Sequence, residues 1–527
     1  MAGTMVRQDG NAADWFLDRH VREGRGDRIA FTDPWRSLTY ADLMRESARF
    51  AGALTAAGNA RERRIALIML DTIDFPIAFW GALRVGMVPV PINTLLTPEV
   101  TEYILRDSRA EAVVVTAELL SEGLVRVLRD APDLRLVVTA VSDGSAPAAL
   151  DHPGLVPFAA FLANGAADTP VVSMSPDEVA FWLYSSGSTG APKGVRHVHA
   201  SLRQTADTYG AQVLRMEPDD MMFSAAKAFH AYGLGNSLTF PMAVGASAVF
   251  LPGRPTPDAV LDVMRQYAPT MFGGVPTLYA SLLASPIIGP KAGSPRLRRC
   301  ISAGEALPAD IGHRWKSMVG LDILDGIGST EMLHIFISNR IDDIRYGTSG
   351  KPVPGYEAHV LDEHGRPVPH GETGELVVRG ASAADGYWNQ RDKTRKTFQG
   401  EWTHTGDTYI RDADGYFRYQ GRSDEMLKVG GVWVSPFEVE EALISHPTVL
   451  EAAVIGREDH DGLTKPKAFV ILRDEAKDLN HDIIAAQLKD HVKDRIGVWK
   501  YPRWITFTES LPKTATGKIQ RFRLRDQ

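Results

Sequence analysis

Between Ile65 and Ala117 the chain alternates short apolar runs with amphipathic stretches, and this alternation limits the fold more than any other feature. "IALIML" (Ile65 to Leu70) reads as a buried strand, and "FPIAFWGALRVG" follows as a helix ending at Gly86. "VPVPI" is short and extended, and Thr97-Pro98 opens a helix with proline at its first position. "EAVVVTA" (Glu111 to Ala117) is the next strand. Strands alternating with helices predict βαβ units, a parallel sheet and an α/β architecture.

At 527 residues the chain is too long for one hydrophobic core. Residues 142–170 are small, polar and rich in Ala, Gly and Pro, and read as a surface connection. From about Gly347, short strands punctuated by Asp-Gly and His-Gly turns predict antiparallel pairing. After Arg422 a smaller unit begins, with strands "EAAVIGRE" and "KAFVILR", the amphipathic helix "DIIAAQLKDHVKDRI" and then "RWITFTESLP". The fold class is therefore α/β. A large N-terminal domain, 1–423, combines βαβ-type sheets with an antiparallel β region, and a small α+β C-terminal domain spans 424–527.

Composition removes several function classes. A net charge of -7, with both signs interspersed, carries no nucleic-acid footprint. One cysteine, Cys300, excludes an intrachain disulfide framework and a cysteine metal cluster. The N-terminus lacks the apolar core of a signal peptide. The greasiest region is interrupted by Asp71, Asp74 and Arg84, so its runs fall short of the roughly 20 residues that cross a bilayer. A cytoplasmic protein with no membrane and no nucleic-acid partner is expected.

"YSSGSTGAPKGV" (Tyr184 to Val195) looks like a loop that holds phosphate. A P-loop needs G-x-x-x-x-G-K-[ST], but Gly187 is followed five places later by Pro192, then Lys193 and Gly194. The Gly517-Lys518 dipeptide is followed by Ile519 and opens no helix. A plain Gly/Ser turn between two strands is the alternative. Against it, glycines admit an anion close to the backbone, and Ser185, Ser186, Ser188 and Thr189 add hydroxyl donors. "AFWLYSS" before the loop is a strand, so the loop sits at a strand's C-terminal end, where α/β ligand sites lie.

The loop resembles the phosphate signature of the adenylate-forming enzymes, [ST]-[ST]-G-[ST]-T-G-x-P-K-G, at every position. Further family motifs follow in order: "SAGEALP", "DGIGSTE", "WTHTGD", "GRSDEMLKVGG" and "PKTATGKIQR". The resemblance implies two half-reactions. A carboxylate attacks the α-phosphate of ATP to give acyl-adenylate and pyrophosphate, and the thiol of coenzyme A then displaces AMP. It implies that Ser185, Ser186, Gly187, Ser188, Thr189, Gly190 and Lys193 hold the β- and γ-phosphates. Thr330 would contact the α-phosphate and Glu331 would ligate Mg²⁺. Gly304, Glu305 and Ala306 would line the adenine and acyl faces, with Asp325 and Gly326 beside the adenine, and Asp407 and Arg422 would bind the ribose. Lys518 would contact the attacking carboxylate and the phosphate under attack, and would serve adenylation alone. Asp424 would be the hinge about which the small domain rotates, bringing Lys428 to the site and the Gly430-Gly431 pair to a pantetheine channel. An ordinary hairpin turn at Gly430-Gly431 is compatible with that role.

Around the acyl group, "AYGLGN", "SAGEALP" and "GSTEMLHIF" resemble the benzoate-CoA ligase branch. The resemblance implies a flat aromatic pocket formed by Ala231, Tyr232, Gly304, Gly328, His334 and Ile335. His230 reads three ways: a gate between half-reactions, a partner for a ring hydroxyl, or a satisfied core histidine. The expected activity is thus an AMP-forming aryl-CoA ligase for benzoate or a ring-substituted benzoate, using ATP, Mg²⁺ and coenzyme A. Loading of a carrier protein, and hydroxybenzoate, 2-aminobenzoate or another cyclic or medium-chain acid, stay open. So do a homodimer and a lysine acetyltransferase or deacetylase acting on Lys518.

Overall fold

A computed structural model of the chain describes residues 10–142, 154–187, 190–422, 425–429, 432–460, 463–513 and 519–525. The parallel sheet expected from the first third has five strands, in the order Val88–Pro91, Arg64–Ile68, Ala112–Thr116, Leu136–Ala140 and Leu155–Pro157. Its inner strands are buried on both faces, which is why "AVVVT" is a continuous apolar run rather than an alternating one. The helix Asp74–Arg84 is buried along its whole length, as an all-round apolar helix must be. Arg84 ends it in a buried ion pair, donating to both Asp18 carboxylate oxygens at 2.7 and 2.8 Å.

A second, nine-stranded sheet runs Lys351–Pro352, Ile335–Ser338, Ile323–Gly328, Arg299–Ser302, Met271–Gly274, Met221–Ser224, Ser247–Val249, Ile29–Thr32 and Ser37–Thr39. Its middle is parallel and its two ends are antiparallel. Antiparallel pairing is thus not confined to the region after Gly347: it joins Ile29–Thr32 to Ser37–Thr39, and at the other edge of the sheet it begins with Ile323–Gly328 against Ile335–Ser338. From Glu357 onward the expected antiparallel region is present as Glu357–Leu361, Thr373–Arg379, Trp402–Arg411 and Phe417–Arg422. In the smaller unit, Val449–Glu458 pairs antiparallel with Thr464–Leu472, and Trp504–Phe507 adds in parallel. The helices Pro436–Ile444 and His481–Ile496 pack on these strands around Val439, Leu443, Leu488 and Val492.

Two local readings change. The described part of the Ala-rich connection contains the strand Leu155–Pro157 and the helix Phe158–Ala163. Phe158 and Phe161, three apart and so on one helix face, bury against Phe50. The strand before the phosphate loop does not feed a helix. Val179–Gly187 turns back as Gly190–Val198, with Ser185 opposite Lys193 and Gly187 opposite Gly190. The loop is thus the tip of an antiparallel hairpin, which makes the strand-turn-strand reading and the phosphate reading compatible.

Candidate active site

The hairpin pairing turns Lys193 toward a cluster drawn from three distant segments. Lys193 Nζ lies 3.7 Å from Glu331 Oε1, 3.3 Å from the Tyr387 hydroxyl and 4.4 Å from the centre of that ring. The Tyr387 hydroxyl donates to Glu331 Oε1 at 2.8 Å. Burial pulls the Lys193 ammonium below its ordinary pKa, against the opposing pull of the Glu331 charge. On the backbone side, fully buried His197 hydrogen-bonds through Nε2 to the Thr330 carbonyl at 2.8 Å. Burial holds that imidazole at a pKa of about 4, so it is neutral and donates from Nε2. Ser185 Oγ is buried with no hydrogen-bond partner among the described residues. The structure thus brings together Ser185, Lys193, Thr330 and Glu331. For Ser186, Gly187 and Gly190 it describes the backbone only, and Ser188 and Thr189 lie outside the described residues.

The neighbouring polar groups come from the ends of the parallel strands, where ligands of open α/β sheets collect. Ser302 and Asp325 are register partners, and the chain leaves the first of these strands through Gly304, Glu305 and Ala306. Asp325 is 4 % exposed. Its Oδ2 receives a long hydrogen bond of 3.4 Å from the Leu307 N–H, and its Oδ1 has no partner among the described residues. Burial pushes this carboxyl up to about 8. A small cleft beside it is lined by Ala306, Leu307, Ser349, Tyr419 and Phe437.

Asp407 and Arg422 face each other across paired strands, with Arg422 Nη1 3.1 Å from Asp407 Oδ1. Arg422 also donates to the Thr405 carbonyl at 3.2 Å. Its guanidinium therefore orients the Asp407 carboxylate. Its charge also reaches Lys193, whose pKa it helps to lower.

Of the residues expected to form an acyl pocket, Tyr232, Gly328 and Ile335 adjoin His334. This ring lies 4.5 Å from Phe240, 5.1 Å from Tyr209 and 5.6 Å from Tyr232, centre to centre. Its Nε2 meets the Tyr232 carbonyl at 3.3 Å, and burial holds it neutral with a pKa of about 3. Tyr232 is fixed at its far end, its hydroxyl within 3.1 Å of both the Gly274 and Ile301 carbonyls. Two glycines allow this packing. A Cβ on Gly328 would stand 2.5 Å from the His334 carbonyl oxygen, and one on Gly235 would stand 2.4 Å from the His334 ring. Leu333 adopts φ +67°, a conformation uncommon for leucine, and so turns the chain sharply just before His334. Ile335 is buried directly after it, and Ala231 and half-buried His230 open the short helix that carries Tyr232.

Of the remaining predicted residues, Asp424, Gly430, Gly431 and Lys518 lie outside the described residues, and Lys428 is described by its backbone alone. Lys428 pairs with Trp433 in an antiparallel ladder, Leu427–Val429 with Val432–Val434, as a hairpin reading requires. Arg521, three residues after Lys518, is anchored to Glu425 at 3.1 Å and to Glu440 at 2.8 Å. Tyr387, His197 and Phe240 were missed from sequence. An aromatic or histidine that acts by touching a residue dozens of positions away leaves no local pattern.

This donor set suits a magnesium–nucleotide substrate. Magnesium takes one or two protein carboxylates and fills its remaining positions with phosphate and water oxygens. Glu331 beside Thr330 and Lys193 is such an arrangement. A family model described as "AMP-binding enzyme" matches residues 17–388, and one for its C-terminal domain matches residues 438–518. The chain belongs to the AMP-binding enzyme family. Enzymes of this family use ATP, Mg²⁺ and, in the ligases, coenzyme A. The chain is 50 % identical over 522 residues to a 4-hydroxybenzoate–CoA/benzoate–CoA ligase of Rhodopseudomonas palustris, covering 99 % of this chain and 95 % of that one. The structure of a benzoate CoA ligase from Burkholderia xenovorans superposes with a TM-score of 0.89 at 47 % identity, covering 98 % and 99 % of the two chains. An anthranilate CoA ligase in complex with anthranoyl-AMP does so with a TM-score of 0.91 at 42 % identity, covering 98 % and 96 %. Among the described residues no helix is long and apolar enough to cross a membrane.

Proposed function

We propose that this AMP-binding enzyme is an aryl-CoA ligase that activates benzoate or a ring-substituted benzoate. ATP and the acid give the acyl-adenylate and pyrophosphate, and coenzyme A then takes the acyl group with release of AMP. The observation that carries this reading is the aromatic enclosure of Tyr232, Phe240 and His334 beside the strand ends that bear Asp325 and Glu331. A flat ring fits such walls, and similarity to the benzoate and anthranilate ligases supports it.

In this reading the hairpin around Ser185 and Lys193 holds the β- and γ-phosphates, with Ser186 to Gly190 supplying further donors. Thr330 contacts the α-phosphate and Glu331 ligates Mg²⁺. The metal, when bound, neutralises phosphate charge. Asp325 Oδ1 accepts from the adenine amino group beside Gly326, and Asp407, steered by Arg422, accepts from the ribose hydroxyls. Gly304, Glu305 and Ala306 floor the site. Both steps build charge on oxygen, so cations and N–H donors fixed in advance lower the barrier. Lys518 serves adenylation. Rotation about Asp424, between domains 1–423 and 424–527, then brings Lys428 and the Gly430-Gly431 channel to the thioester step. His230 stands beside Ala231 as a gate. The enzyme works in the cytoplasm, and acetylation of Lys518 would silence it.

The test is AMP formation with ATP and Mg²⁺ over benzoate, hydroxybenzoates, 2-aminobenzoate, cyclohexanecarboxylate and octanoate, each with and without coenzyme A. Catalytic AMP release with a benzoate, only when coenzyme A is present, is the expected result. A preference for octanoate refutes the aromatic pocket. Pyrophosphate release that coenzyme A does not accelerate refutes the thiol acceptor.

A further inference from the structure

Tyr387 lies in the two-residue strand Gly386–Tyr387, which adds to the edge of the phosphate hairpin with Tyr387 opposite Val195. Its ring is 4 % exposed and packs 5.5 Å from Phe398. That packing explains an aromatic side chain but not a hydroxyl. The hydroxyl is 2.8 Å from Glu331 Oε1. Lysine has no acceptor, so Lys193 can only donate to the phenol oxygen 3.3 Å away; of the two acceptors near the hydroxyl, charged Glu331 Oε1 at 2.8 Å outcompetes Thr397 Oγ1 at 3.4 Å for the phenolic proton. The segment before Tyr387 grips the same motif by its backbone. Ala384 N–H donates to the Glu331 carbonyl at 2.8 Å, and the Ser382 hydroxyl donates to the Met332 carbonyl at 2.8 Å. One stretch of chain, 56 residues downstream, therefore fixes both the backbone and the carboxylate of Glu331.

We infer that Tyr387 is a positioning residue for divalent-cation binding: it holds Glu331 by Oε1, leaves Oε2 for the cation that arrives with ATP, and keeps the carboxylate in place when Lys193 leaves it for phosphate. This rests on the proposed role of Glu331 as the metal ligand. Without the hydroxyl, the carboxylate must be ordered at the moment of metal binding, and Lys193 remains its nearest charged partner in competition with the metal.

The experiment is calorimetric binding of α,β-methylene-ATP to the full-length protein, once with excess EDTA and once with saturating Mg²⁺. The readout is the ratio of the two dissociation constants, for the wild type, Tyr387→Phe, Glu331→Gln and the double variant. Tyr387→Phe is expected to leave the EDTA affinity within about twofold and to reduce the Mg²⁺ enhancement roughly tenfold, the scale of losing a hydrogen bond to a metal ligand. Glu331→Gln is expected to remove the enhancement at least as far, and the double variant no further. If Glu331→Gln loses the enhancement and Tyr387→Phe keeps it, the positioning role is refuted while the metal ligand stands. If Tyr387→Phe weakens both affinities equally, its role is packing and the inference is refuted. If Glu331→Gln keeps the enhancement, the metal-ligand assignment itself fails.

Discussion

Asp325→Asn should make the protein more resistant to unfolding as pH rises, because the wild-type carboxyl is buried in a site that does not solvate its charge. Asp325 is 4 % exposed, one oxygen accepts a long hydrogen bond of 3.4 Å from the Leu307 N–H and the other has no partner within hydrogen-bond geometry among the described residues. Desolvation raises its pKa from 3.8 to about 8, with the Ser302 hydroxyl and then the Leu307 and Gly326 N–H groups opposing only in part. The sign follows from proton counts. Below 3.8 both folded and unfolded chains carry the proton, and pH has no effect through this group. Between 3.8 and about 8 the folded chain keeps a proton that the unfolded chain has lost, so raising the pH favours unfolding. The slope is about 1.4 kcal/mol per pH unit, or about 3 kcal/mol between pH 5 and pH 7. Asparagine has nearly the same shape and is neutral throughout, and every other titrating group is shared by the two proteins.

The difference in unfolding free energy, Asp325→Asn minus wild type, should therefore climb by about 3 kcal/mol from pH 5 to pH 7. Urea titrations of both proteins at pH 5, 6 and 7 measure it. Because a chain with more than one unit need not unfold in one step, the comparison uses the transition that carries the large domain. Parallel pH profiles would refute the reasoning, since they would mean that the Asp325 carboxyl is ionised inside the fold. A neutral carboxyl also suits the proposed adenine contact, because its unpartnered Oδ1 can accept a hydrogen bond without a buried charge.

Three further outcomes follow from the packing and the proposed roles. In Gly235→Ala the new methyl would stand 2.4 Å from His334 Cδ2 and 2.9 Å from Phe240 Cζ, so the histidine must shift and with it a wall of the proposed acyl pocket. Overpacking of this kind costs about 1–3 kcal/mol, and the KM for benzoate should rise roughly tenfold while the KM for ATP holds; equal rises in both would refute a local effect. Asp18→Asn leaves the buried Arg84 guanidinium without its countercharge. It should lower the stability of the large domain by about 3–5 kcal/mol, read as a fall in the urea midpoint, and an unchanged midpoint would refute it. Lys518→Ala should abolish acid-dependent pyrophosphate release yet leave preformed benzoyl-AMP able to react with coenzyme A. Equal loss of both half-reactions would refute a role confined to adenylation.

What could be read from the sequence, and what could not, divides along a physical line. The βαβ start was legible because a doubly buried strand such as Ala112–Thr116 must be apolar at every position, and an uninterrupted run is visible without any partner. The loop stood out as a candidate phosphate site because an anion needs several donors in a small volume, and consecutive Gly, Ser and Thr residues supply them cheaply in chain length. Asp407 with Arg422, and Thr330 with Glu331, sit in equally local motifs. Partners brought from elsewhere were not legible. Ile29–Thr32 lies beside Ser247–Val249, across more than two hundred residues, and no property of either strand names the other. The helix around Phe158 was hidden because only two of its side chains bury, amid a run of alanines. Tyr387 is the clearest instance. Read locally, "GYWNQ" is a turn into an aromatic patch, and its hydroxyl acquires meaning only when Glu331 is brought to 2.8 Å. Groups proposed to touch a phosphate are thus written close together, because such a ligand demands density. Groups that hold those groups still are drawn from whichever strand the fold delivers. For this reason Tyr387, and not a residue of the signature loop, is where substitution would best separate the building of the site from the binding of its ligand.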